Sequence, residues 1–390
     1  ITLEGIYKDY NFYPKSYQGL KSMNNGEFYT QMKRTEDGQE IIKYNFKNGD
    51  RITRLFKSSD FKIGRINSYT LSNDDKLMIL ATETESIYRY SKRAIYYVFN
   101  IHNNKLKKIS EEKIRYPTFC PNSEKIAFVF NNNLYVKNIL NGKETQITFD
   151  GKKNHIINGA SDWVYEEEFR LVKGFEWSSN GEIIAYYKFD ESHVKEFSMN
   201  KFNGNLYPTQ EVFKYPKAGE ANSTVNVYLY NLNKKEKSLI YTEEDYEYIP
   251  RIKWSRDPNI LTMIGLNRHQ NKLDFILVNA QDASNNILFS EEDKYYIDIN
   301  DNITFLPNNF FIWTSEKKGY NHIFLKGLDG SEEQLTKGSW WEVTSFDGLD
   351  SDKMQIFYRS TEDGSTNRSL YMLDLETGKK EKLSTQIGTN

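Results

Sequence analysis

Cysteine is nearly missing from this chain of 390 residues: Cys120 stands alone, so no disulfide can form within it. One thiol does not identify a compartment, because secreted proteins without bridges are common. No apolar run approaches the ~20 residues that a membrane helix requires. Nor does one sign of charge dominate. Lys and Arg total 52 against 54 for Asp and Glu, a formal net charge of −2. That balance offers neither a basic field for nucleic acid nor an acidic tail. G-x-S-x-G, the turn that exposes a nucleophilic serine in α/β-hydrolases, occurs nowhere, and strands do not alternate with long helices. The five histidines, His102, His155, His193, His269 and His322, all fall within a strand pattern or its insertions. The chain opens on Ile1 with no signal-peptide pattern, so it is expected to be processed or trimmed, and secretion stays open. No cofactor and no metal are expected.

Aromatics, by contrast, are abundant: 15% of residues, with 28 Tyr and 24 Phe. Such residues favour pleated, half-buried surfaces. A mean hydropathy of −0.73 points to a thin, repeated core rather than one thick mass. One phrase returns along the chain. It reads SMNNGEFYTQM from Ser22, TLSNDDKLMILA from Thr70, TFCPNSEKIAFVF from Thr118 and FEWSSNGEIIAYY from Phe175. It returns as IKWSRDPNILTMI from Ile252, ITFLPNNFFIWTS from Ile303 and TSFDGLDSDKMQIFY from Thr344. Each is a short strand, a polar turn rich in Asn, Asp, Gly or Ser, then an apolar strand. A second phrase, such as NLYVKNILNG from Asn133 or SLYMLDLETG from Ser369, follows most of these and also reads as strand and turn. Four strands recurring at roughly 40 to 75 residues predict an all-β fold, a β-propeller of four-stranded blades. A pair of β-sandwiches or a β-solenoid are the alternatives. The spacing is long for a solenoid coil and regular for two sandwiches.

The stretch from Phe175 to Ile252 is the longest interval. Its excess, residues 190–224, must leave the blade, and we read it as an extended arm rather than a disordered loop. Phe197, Phe202, Tyr207, Phe213 and Tyr215 give it more apolar surface than a solvated loop carries, which suggests a partner contact.

DWVYEEEF, Asp162 to Phe169, sets three acids side by side among apolar residues. On a strand, neighbouring side chains face opposite ways, so two adjacent Glu could not share a ligand. On a helix they lie ~100° apart and both can reach one small cation. Asp162 suits an N-cap, and acids favour the first turn. The plain alternative is a capped helix with a solvated acidic face. Against it, the segment interrupts the strand repeat, and its apolar flanks argue for burial, which demands a positive partner. A peptide α-ammonium would satisfy Glu167 and Glu168 together. An arginine would steady the acids when the site is empty: Arg89, at the end of a strand, whose planar fork could bridge both carboxylates, or Arg93, or Arg170. Arg89 also reads as an ordinary surface charge.

NGASDWVYEEEF, Asn158 to Phe169, resembles the double-glutamate motif of the dipeptidyl peptidase IV group in the prolyl oligopeptidase family of serine peptidases. The resemblance covers nearly the whole chain. GFEWSSNGEIIAYYKFDES resembles the following strand pair, YPKAGEANSTV the propeller arm, IYRYS the segment with the substrate-binding arginine, and SEKKGYNHIFL a later blade. It implies that Glu167 and Glu168 hold the substrate's free N-terminal ammonium, while Arg89 contacts a backbone carbonyl and braces the acids. Glu166 receives no ligand role. The resemblance further implies cleavage after the second residue, preferably Pro or Ala, the clamp on the N-terminus leaving room for only two residues before the scissile bond. Related tripeptidyl enzymes carry a different acidic arrangement here. KYYIDIND, residues 294–301, is similar to a pocket segment only loosely.

The resemblance also implies what lies elsewhere. The family has eight blades, against seven turn phrases here, and its hydrolase domain follows the propeller. Residues 1–390 are therefore expected to form a propeller domain that is inactive alone. The last blade and a C-terminal α/β-hydrolase domain would lie outside it. The implied partners are a peptide substrate with a free N-terminus, that hydrolase domain and a second copy of the full protein, in a secreted or periplasmic setting. A stand-alone propeller used as a binding scaffold is the competing expectation.

Overall fold

The computed structural model describes residues 1–13, 19–299 and 301–389. Among them are seven sheets, and in six of these each strand is hydrogen-bonded to the next in the chain. They occupy residues 20–57, 66–108, 115–146, 156–239, 248–292, 304–334 and 343–382. They are the blades of a seven-bladed β-propeller, as the repeat predicts.

The repeated phrase is the turn between the first two strands of a blade. A backbone hydrogen bond closes it in the same way in successive blades: Met23 to Phe28, Ser72 to Leu77, Cys120 to Lys125, Ser178 to Ile183 and Ser255 to Ile260, at 2.9–3.0 Å. Side chains reinforce it. Ser72 Oγ accepts from Leu77 N at 2.9 Å and Ser178 Oγ from Ile183 N at 3.0 Å. Cys120 Sγ takes the equivalent bond from Lys125 N at 3.1 Å. The lone cysteine is thus a buried turn residue standing where other blades use serine. The strand in the second phrase ends in an Asn or Asp that accepts from the amides two and three residues on, as at Asn100, Asn138, Asn231 and Asp374.

The described chain falls into two compact units. One comprises Ile1–Ile87, Lys92–Ala127 and Lys137–Lys143. Its core contains Ile41, Phe56, Tyr69, Met78, Leu80 and Phe99. The other comprises Tyr88–Ser91, Phe128–Val136 and Glu144–Asn390, with a core cluster around Ile312, Ile323, Val343, Ile356 and Tyr358.

The fourth blade departs from the plan. Its first strand is broken into Ile156–Asn158 and Phe175–Trp177, and both pieces pair with Ile183–Asp190. The chain leaves the sheet after Asn158 and returns before Phe175, making the helix Trp163–Phe169 on the way. Gly159 N donates to Tyr187 O at 2.9 Å, and Tyr187 N to Gly174 O at 2.8 Å, so the two ends of the excursion pinch together. Glycine is required there. A Cβ on Gly174 would lie 2.9 Å from Ala160 N, and Gly159 sits at φ +73°. Between Ile183–Asp190 and the next strand, Thr224–Asn231, a separate two-stranded hairpin pairs Glu196–Lys201 with Thr209–Lys214. No helix among the described residues is long and apolar enough to cross a membrane.

Candidate functional site

The helix of seven residues that carries the acids is too short to persist alone, so its surroundings hold it. Asp162 caps it. One carboxylate oxygen accepts from Tyr165 N at 2.9 Å, the other from Ser223 Oγ at 2.6 Å. Burial pushes the Asp162 carboxyl up, and these two bonds pull it back. At the far end Arg170 takes a left-handed conformation, φ 53°. Arg251 donates to the exposed helix carbonyl of Phe169 at 2.7 Å and pairs with Asp301.

The apolar face is aromatic. The Tyr165 ring lies 4.8 Å from Phe189 and 5.2 Å from Phe169, edge on. Its hydroxyl accepts from Ile249 N at 2.8 Å. Burial raises this phenol well above its ordinary range. Trp163 packs against Tyr215 at 4.1 Å and Phe213 at 6.4 Å, which fastens the hairpin to the helix.

The three glutamates differ completely. Glu166 is 1% exposed. Its Oε1 accepts from Tyr90 N at 2.5 Å and Ser91 N at 2.9 Å. Glu167 is half-buried and takes both bonds of Arg89 Nε, at 2.8 and 3.2 Å. Arg89 is 64% exposed, and the Glu167 hydrogen bond raises its guanidinium pKa above the usual value. Glu168 is exposed and has no hydrogen bond or ion pair among the described residues. Its charge acts on two phenols raised chiefly by burial, Tyr248 and Tyr296.

The structure thus brings Glu167 and Arg89 together and corrects two expectations. Arg89 is not at the end of a strand. It lies in the loop between Leu77–Ser86 and Lys92–Asn100. Nor does it bridge two carboxylates, because both bonds of its Nε go to Glu167. Of the other two arginines, Arg93 pairs with Glu85 at 2.8 Å, and Arg170 is an exposed helix cap.

Several residues of the site escaped the sequence reading. Glu166 meets partners some 75 residues away. Tyr248 packs 5.3 Å from Phe169, and its hydroxyl accepts from Asn222 at 3.0 Å. Arg251 carried no local signal, and Asp301 was singled out only as the end of the loosely matched segment 294–301. In the loosely matched segment 294–301, Tyr296 Oη donates to Gln270 at 3.1 Å, while Asn300 lies outside the described residues. A cavity of about 560 Å³ borders the helix cap at Ser223 and includes neither Glu167 nor Glu168. Among the described residues no cluster of His, Cys, Asp or Glu is arranged to hold a metal.

Comparison with known proteins identifies the family of the chain. The family model "Dipeptidyl peptidase IV (DPP IV) N-terminal region" matches residues 72–390. The inactive dipeptidyl peptidase 10 of Rattus norvegicus is 28% identical over 365 residues, covering 87% of this chain and 45% of that protein. Dipeptidyl aminopeptidase B of Saccharomyces cerevisiae is 27% identical over 339 residues, covering 80% and 40%. The chain therefore spans less than half the length of these curated relatives. The crystal structure of Porphyromonas gingivalis dipeptidyl peptidase 4 superimposes with a TM-score of 0.91 at 34% identity, over 100% of this chain and 56% of that one. Sequence, blades and matched model together place the chain in the dipeptidyl peptidase IV N-terminal region family, as a seven-bladed propeller.

Proposed function

We propose that this chain is the substrate-recognition and gating propeller of a serine exopeptidase of dipeptidyl peptidase IV type, which releases X-Pro or X-Ala dipeptides from peptide N-termini. One observation carries the reading: an ion pair between Glu167 and Arg89, with an unpartnered carboxylate on the next residue. A peptide α-ammonium, with an ordinary pKa of roughly 7.7–8.0, supplies the N–H donors that Glu168 lacks and a second ligand for Glu167. Arg89 spends only its Nε on Glu167, which leaves both terminal amino groups to donate to a substrate carbonyl. A clamp on the N-terminus fixes how many residues fit before the scissile bond.

In this reading residues 1–390 form a propeller domain with an arm over 190–224, and the serine chemistry belongs to an α/β-hydrolase domain elsewhere in a longer protein. The lengths of the relatives support that division. The exposed aromatics Phe202 and Tyr207 suit the arm to a homodimer contact, and a secreted or periplasmic setting fits an enzyme that trims peptides. A second reading is a binding scaffold without peptidase activity. The name of the rat relative, an inactive peptidase, favours it.

The test uses the full-length protein and matched peptides with free or acetylated N-termini. Glu167→Ala or Glu168→Ala should each lower kcat/KM roughly 10- to 100-fold, the loss of one charge-assisted contact. Acetylated peptides should fail as substrates. Equal turnover of free and acetylated peptides would sink the clamp. Peptide binding with no dipeptide release would establish the scaffold reading instead.

A further inference from the structure

A carboxylate at 1% exposure must be matched by donors, and Glu166 finds them in an unusual place. The strands on either side of the Arg89 loop end at Ser86 and resume at Lys92, so the amides of Tyr90 and Ser91 have no ladder partner. Glu166 accepts both. Within the loop, Ser91 Oγ accepts from Tyr88 N at 3.2 Å, and the Tyr88 ring meets Phe213 at 5.7 Å. Arg89 thus projects from a loop held on both sides of it. Magnitudes decide what does the holding. An ion pair with one partner 64% exposed is worth ~0–1 kcal/mol, too little to order a loop. Two backbone bonds to a buried carboxylate are individually stronger.

We infer that Glu166 is a positioning residue: its carboxylate fastens the loop through the amides of Tyr90 and Ser91 and thereby sets Arg89 against Glu167. The three adjacent acids then divide the work, one holding the loop, one the arginine, one left open. The value of this placement rests on the peptide-clamp reading, but its test does not.

The experiment follows amide exchange in residues 87–91 and the crystal structure of variants of this chain, with no peptide present. Glu166→Gln keeps the shape and removes the charge. It should speed exchange of the Tyr90 and Ser91 amides roughly 10- to 100-fold, with strand amides unchanged, and should dissolve the 2.8 Å contact between Arg89 and Glu167. Arg89→Ala is the reciprocal variant and leaves both bonds to Glu166 intact, so the two amides should stay protected. Three results would overturn the inference. They are unchanged exchange in Glu166→Gln, an Arg89–Glu167 pair that survives the opened loop, or amides that lose protection in Arg89→Ala. Peptide turnover enters none of these, so failure of the clamp reading would leave this result standing.

Discussion

Side chains of one chemistry acquire different duties here through their surroundings. Glu166, Glu167 and Glu168 are consecutive, yet one is sealed against backbone amides, one is paired and one is open. Sequence reasoning singled out Glu167 and Glu168 through the acidic motif, but Arg89 only through the family resemblance of IYRYS, since the residues alone left Arg93 and Arg170 open. It could not reach Glu166, because the donors that define its role are peptide groups, which have no sequence identity. Tyr165 illustrates the same point. Its ring belongs to the core, but its hydroxyl is the acceptor for the amide of Ile249, itself 7% exposed. Tyr165→Phe keeps the ring and leaves that amide unpaired. A loss of about 1–3 kcal/mol should appear in urea denaturation, the cost of one buried donor without a partner.

At the level of elements, turns were the most legible feature because their chemistry is local. The bonds closing the turns at Ser72, Cys120 and Ser178 need only residues a few positions apart. The helix was legible for a similar reason, since Asp162 and the apolar positions around it lie within one segment. The pairing of Glu196–Lys201 with Thr209–Lys214 was not, since every residue of the first strand is exposed and polar and apolar residues do not alternate along the second. That hairpin is tied down chiefly by Phe213, 6% exposed, which touches Trp163, Tyr88, Phe197 and Tyr215. Phe213→Ala should loosen the hairpin without unfolding the blades. Limited proteolysis should then cut near Gly204 several-fold faster, while the global urea midpoint moves little.

For the molecule as a whole, repetition made the architecture readable: seven turn phrases correspond to seven sheets. The broken first strand of the fourth blade was not foreseen, because Ile156–Asn158 and Phe175–Trp177 each look like an ordinary short strand. The last blade, residues 343–382, has its own electrostatic fastening. Asp363 accepts from Tyr371 Oη at 2.8 Å and pairs with Lys382 at 2.8 Å. Lys382 foremost, with Ser369 and Tyr371, lowers the Asp363 carboxyl from 3.8 to about 2. A depressed carboxylate adds stability that is fully present above its unfolded value and is lost as pH falls through the folded one. The urea midpoint should therefore fall between about pH 4 and pH 2, and Asp363→Asn should flatten the part of that slope due to this group.

The pinch at Gly159 and Gly174 makes the acidic motif a property of its foundations rather than of its letters. Cut out as a free peptide, or spliced onto a loop whose ends stand farther apart, the same residues would lose the Ser223 bond that holds the Asp162 cap and their brace at Arg251, and with them any helix. Transplanting this chemistry to another scaffold means carrying the blade along with it.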